Sequence, residues 1–137
     1  MGTRVAGMGN RPVTSSRLLN TKRALPGQFP RTLGAMTTLL VFEFPSTGPF
    51  GAEAEAAYAD LATDIAGQDG LIWKVWTEDP QRQVAGGVYL FADETSAQVY
   101  VEKHTARLAG FGITDITATS YEVNEGLSRI DHAVLER

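Results

Sequence analysis

Four residues could carry chemistry in this chain: His104, Lys74, Tyr89 and one of the two tryptophans that flank Lys74. His104 falls on a stripe with Ala97, Tyr100, Val101, Leu108 and Phe111 at helical spacing, so its imidazole points inward. An inward imidazole is either a hydrogen-bonded core residue or a base or donor in a pocket, where burial tunes its proton affinity. Lys74 sits in the strand-like block Leu71-Ile-Trp-Lys-Val-Trp-Thr-Glu78 between Trp73 and Trp76. A half-buried lysine snorkels, pairs with a carboxylate, or clamps an anionic or phenolic ligand. Glu43 on an earlier strand is the matching oddity, and a Lys74–Glu43 salt bridge is the plainer of the two outcomes. Tyr89 follows Gly86-Gly87 and could lend its hydroxyl to the same cavity. Trp73, Trp76 and Phe42 are packing residues or the walls that stack on a planar substrate.

The same inventory excludes much. With no cysteine there is no disulfide, thiol nucleophile or thiolate metal site, and two histidines do not make a multi-histidine zinc centre. Gly7-Met-Gly9 has no strand before it and no third glycine, so it is not a dinucleotide fingerprint. There is no P-loop, no Ser-His-Asp context and no paired metal carboxylates. The expectation is a site without metal or motif-bound cofactor. No apolar run reaches the roughly 20 residues that span a bilayer, so no membrane partner is expected and the cytoplasm is the expected location.

Charge is unevenly placed. The net charge is −4, yet residues 1–35 hold six basic residues and no acid. The body holds the other six basic residues against all 16 acids, which argues against a nucleic-acid surface there. Residues 1–35 lack apolar periodicity, are interrupted by Pro12, Pro26 and Pro30, and contain no apolar signal-peptide core. They read as a disordered basic extension, with Met36 as an alternative start, a transit peptide or a basic arm as other readings, and one domain over 36–137.

The elements that must position the candidate residues follow from Thr37 onward. Thr37–Phe44 is β-branched and aromatic, bounded by Pro45. Ala54, Tyr58, Leu61 and Ile65 mark a helix over Ala52–Ala66. Leu71–Glu78 and Gln83–Ala92 form a hairpin around the turn at Asp79-Pro-Gln-Arg82. Asp93 can cap a helix running to about Ala109, and Ile113–Val123 is the last strand. The order β-α-β-β-α-β is that of an α+β, ferredoxin-like domain, a four-stranded antiparallel sheet with two helices on one face. Strict alternation puts Leu71, Trp73 and Val75 on one side and Ile72, Lys74 and Trp76 on the other. Both faces of the strands are apolar, so two sheets packed face to face in a homodimer is the economical solution. Leu127, Ile130 and Val134 have helix-like spacing, and the tail is expected to pack on the body or cross to the partner.

Gly48-Pro-Phe-Gly51, Leu71–Glu78, Ala85-Gly-Gly-Val-Tyr-Leu-Phe91 and Glu102-Lys-His-Thr-Ala-Arg-Leu108 resemble, in this order, the YdhR-type mono-oxygenase family, with Val123-Asn-Glu125 and Leu127-Ser128 fitting its C-terminal stretch. The resemblance runs from about Met36 to the C-terminus. It implies a dimeric α/β barrel and kinship with small mono-oxygenases that oxidise planar aromatic substrates with dioxygen, without flavin, haem or metal. The resemblance carries over no catalytic residues; the residues themselves give the expectation that His104 accepts the substrate proton or hydrogen-bonds the enolate, that Trp73 or Trp76 stacks on the rings, and that Lys74 or Tyr89 steadies the anionic oxygen. Phe42 and Glu43 complete the expected binding residues. The alternatives are a non-catalytic small-molecule-binding module and a haem-binding protein on the same scaffold.

Overall fold

A computed structural model describes residues 36–137; the expected disordered extension lies outside the described residues. The elements are β1 (Thr38–Pro45), α1 (Gly51–Ala66), β2 (Leu71–Asp79), β3 (Val84–Phe91), α2 (Glu94–Gly110), β4 (Thr117–Glu122) and α3 (Glu125–Ile130). The four strands form one antiparallel sheet in the order β2-β3-β1-β4, so the chain has the α+β ferredoxin-like fold.

Helices α1 and α2 cover one face. Their inward stripes follow the 3.6-residue period: Ala54, Tyr58, Leu61 and Ile65 on α1, and Ala97, Tyr100, Val101, His104 and Leu108 on α2. Of these, Leu61 and Ile65 on α1 and Ala97, Tyr100, Val101 and Leu108 on α2 meet Leu40, Phe42, Tyr89, Phe91 and Ala118 from the sheet to make the main core. Asp93 caps α2 by accepting the Ser96 amide at 2.6 Å. The N-terminus of α1 has no local side-chain cap; instead the Glu78 carboxylate on β2 accepts the Gly51 amide at 2.9 Å.

Two expectations change. Strict alternation along β2 fails, because Leu71 pairs with Phe91 while Trp73 pairs with Leu90, leaving Ile72 as the extra residue of a bulge. Leu71 therefore belongs to the helix-side core, whereas Ile72 and Trp73 both pack on the opposite face with Leu39 and Leu90. Beyond the bulge, alternation resumes and puts Lys74 and Trp76 on the helix side. The last strand is also shorter than its apolar pattern, beginning at Thr117. Gly112 and Asp115 take positive φ (86° and 56°) and hold the preceding segment in a turn.

On the opposite face, α3 is capped by Asn124, and the chain then folds back so that Leu135 is buried against Ile72 and Leu90. The tail thus packs on its own body, and its Val134 carbonyl accepts the Trp73 indole N–H at 2.9 Å. It covers only part of that face: Val75 remains 53% exposed and Tyr121 equally so.

Candidate active site

A cavity of about 650 Å³ lies between the helices and the sheet, at the end of the core where β2 and β3 run past α1. Its inner wall is Lys74, Tyr89 and His104, and its apolar sides include Phe44, Leu61, Trp76, Leu108 and Ile113. The loop holding Gly48 and Pro49 forms one rim, fixed by the Glu78–Gly51 contact. Phe111 forms part of the other. It is the C-cap just beyond α2 and turns outward, 63% exposed, instead of continuing the buried stripe. Trp76 stands at the mouth, stacked on Tyr58 of α1 with ring centroids 6.0 Å apart and planes 15° from parallel.

Lys74 reaches this wall because β3 makes room for it. A Cβ on Gly87 would stand 2.8 Å from Lys74 Cε, so only glycine leaves the stem its path. The amine lies 3.4 Å from the centre of the Trp76 ring and 4.6 Å from that of Tyr89. Among the described residues no carboxylate and no hydrogen-bond acceptor reaches it. The expected Lys74–Glu43 bridge does not form. Glu43 lies on the opposite side of the sheet, exposed, because it alternates with Phe42 and Phe44 on β1. Burial without a counter-ion lowers the Lys74 pKa to about 7, and the positive Arg107 adds to the effect. The facing aromatic rings pull the other way, since a π-face favours the ammonium form.

His104 is 3% exposed. Its ring stacks on Tyr100 at 4.9 Å and meets the edge of Phe42 at 5.2 Å. Its Nδ1 lies 3.3 Å from Arg107 Nε and 3.1 Å from Arg107 Nη2. A guanidinium only donates, so Nδ1 is the accepting nitrogen and the ring proton resides on Nε2. Desolvation, then Lys74 and Arg107, push the His104 pKa down to about 3, so the ring is neutral across the physiological range. Tyr89 is buried and its hydroxyl is held above the ordinary phenol range by desolvation. Tyr100 behind it is raised to about 12 for the same reason. The wall therefore offers one titrating amine and two neutral donors.

Of the residues expected at a site, Lys74, Tyr89, His104 and Trp76 are brought together around one cavity. Phe42 lies behind it, edge-on to Tyr89 at 5.5 Å, as packing for the wall. Trp73 and Glu43 face away, Trp73 through the bulge and Glu43 through the strand's alternation. Sequence reasoning passed over Arg107 and Asp64. Arg107 follows His104 by three positions, which places it on the same helix flank; Asp64 is on another helix and carries no sequence signal of its own. Among the described residues no cluster of His, Cys, Asp and Glu could hold a metal ion. No helix there is long and apolar enough to cross a membrane.

The fold and the cavity together define an α+β ferredoxin-like domain with a pocket between its helices and its sheet. More particularly, residues 39–134 match the family described as putative mono-oxygenase ydhR, and the chain belongs to that family. A search of the curated proteins found no match.

Proposed function

We propose that this protein is a cofactor-independent mono-oxygenase, acting in the cytoplasm as a homodimer, that oxidises a planar phenolic or enolic aromatic molecule with dioxygen. The observation that carries the reading is the uncompensated amine of Lys74 in an aromatic-walled cavity of a mono-oxygenase family member. A neutral amine near pH 7 is matched to taking a proton from a ring hydroxyl. The resulting anion is electron-rich enough to reduce dioxygen itself. A ring carbon of the anion that carries a hydrogen adds to dioxygen, and the Lys74 ammonium returns its proton to give the hydroperoxide. Loss of the C–H proton from that carbon then breaks the O–O bond and leaves a carbonyl, while the outer oxygen departs as hydroxide and takes up that proton to become water. The substrate supplies the electrons, and the protein orients and desolvates it. His104 and Tyr89 serve as donors to the anionic oxygen, and Trp76 stacks on the rings. In this reading the base is Lys74 and His104 is a donor, the Nδ1 lone pair being occupied.

The homodimer reading rests on the half-covered outer face. Val75, Tyr121, Leu127, Ile130 and Val134 are exposed apolar side chains on or beside it, more than a monomeric surface usually shows in one region. Two such faces packed together would cover them under two-fold symmetry.

Oxygen uptake by the colourless protein against hydroxylated anthracenes and naphthols tests the assignment. Uptake is expected in the wild type and is expected to fall by about 100-fold or more in Lys74→Met. Saturable quenching of tryptophan fluorescence without uptake would replace the enzyme by a binding module. A Soret band on haem titration that depends on His104 would replace it by a haem protein.

A further inference from the structure

The choice of which His104 nitrogen accepts has a visible cause outside the cavity. Arg107 Nη1 donates to Asp64 Oδ2 at 2.7 Å, so the guanidinium is anchored across from α2 to α1. Its remaining edge, Nε and Nη2, converges on His104 Nδ1. Asp64 in turn accepts from the Gln68 side chain at 3.1 Å, and Gln68 accepts from Lys103 at 3.4 Å. Arg107 is mostly shielded, whereas Asp64 is half-exposed at the outer end of the chain of contacts. Tyr100 stacks flat on the imidazole and fixes its plane.

We infer that Arg107, clamped by Asp64, is the positioning residue that locks His104 into the Nε2–H tautomer, so that His104 presents a hydrogen-bond donor to the ligand's oxygen and leaves proton abstraction to Lys74. This rests on the oxygenase reading for its catalytic meaning, but the tautomer itself does not. The chemistry is that of any imidazole whose far nitrogen is held by a partner: the far contact decides which nitrogen carries the proton. A carboxylate in the position of Arg107 would impose the opposite tautomer and leave Nε2 as a base. A donor-only cation there leaves no such choice. The ligand that fits is therefore one that offers an acceptor oxygen, as carbonyl, enolate or phenolate, to His104.

The test is nitrogen-15 NMR of the imidazole side chains of the full chain. His104 and His132 are its only histidines, and His132 is exposed, so His132→Gln assigns the pair. The expected wild-type result is a protonated Nε2 and an unprotonated Nδ1 on His104. Arg107→Lys, still a cation that only donates, is expected to keep that pattern. Arg107→Met is expected to lose it, giving a mixture or the Nδ1–H form. Asp64→Asn, at the half-exposed end of the relay, covers the case in which Arg107→Met fails to fold, and is expected to broaden the Nε2–H signal. A protonated Nδ1 in the wild type would overturn the inference. So would an unchanged tautomer in folded Arg107→Met, or a signal unaltered in Asp64→Asn. With an active substrate, Arg107→Met should lower kcat by about tenfold or more with a smaller change in KM. Absence of oxygen uptake in the wild type would sink the oxygenase reading and leave the tautomer result standing.

Discussion

At the scale of single residues, the cavity wall sets the proton affinities of its amine and its imidazole by environment alone. Lys74 is desolvated without a counter-ion and titrates near 7, while His104, the residue whose ordinary pKa lies nearest neutrality, is pushed down to about 3. A pH–rate profile should therefore show one rising limb through about pH 7 that persists in His104→Gln and vanishes in Lys74→Met. A limb that disappears with His104 instead would return the base to the imidazole. Stability should carry the same signature. Folding lowers the Lys74 pKa below its ordinary 10.5, so the unfolded chain binds the extra proton and stability rises with pH from about 7 to 10.5. Lys74→Met should thus be more stable than wild type below that window and lose the advantage above it, as denaturant titrations at either side would read. Gly87→Ala places a methyl 2.8 Å from Lys74 Cε, the flexible part of a long side chain. It should displace the amine and cost activity while the fold survives; full activity in Gly87→Ala would show that the stem does not need that space.

At the scale of elements, the sheet sets the site by strand spacing and by one bulge. A Cβ on Gly86 would come within 1.9 Å of the Phe42 carbonyl oxygen on β1, which is backbone and cannot yield. Gly86→Ala should therefore lose the folded state or most of its stability, in contrast to its neighbour Gly87, and a thermal melt of the pair discriminates the two kinds of glycine. Asp93 caps α2 and so holds the helix that carries His104 and Arg107. Asp93→Ala should cost about 1 kcal/mol by denaturant titration, and no change would mean that packing alone fixes that helix end. The bulge at Ile72 is the element-level feature that decides which β2 side chains line the cavity. It frees Trp73 from the face it would share with Leu71 and lets the following Lys74 and Trp76 meet the helices.

At the scale of the molecule, two faces of one sheet do different work. The helix-covered face holds the cavity, and the other is partly sealed by the returning tail with Leu135. The uncovered remainder, centred on Val75 beside Val88 and Val41, is the surface on which a second copy is proposed to pack. Sedimentation of the wild type should give a dimer, and Val75→Glu should give a folded monomer, since a buried carboxylate in the middle of the interface is costly. A wild type that sediments as a monomer would remove the dimer from the proposal.

Periodicity determined a great deal. The 3.6-residue stripes of Ala54, Tyr58, Leu61 and Ile65, and of Ala97 through Leu108, identify two helices and put His104 inward, because burying an apolar face is a local pattern with a global cause. The β-branched runs and the Asp79-Pro turn likewise determine the order of elements along the chain, since each is written within a few neighbouring residues. Only the tertiary structure decided which face each β2 side chain takes. One extra residue in a strand shifts everything before it relative to everything after it, and nothing local distinguishes Ile72 from its neighbours. It also decided the partners. Glu43 and Lys74 look complementary in sequence yet lie on opposite sides of a sheet, and Asp64 and Arg107 look like ordinary surface charges yet meet across two helices behind His104. Charge pairing depends on distances of a few ångströms between elements far apart in the chain, and those distances exist only once the helices have docked on the sheet.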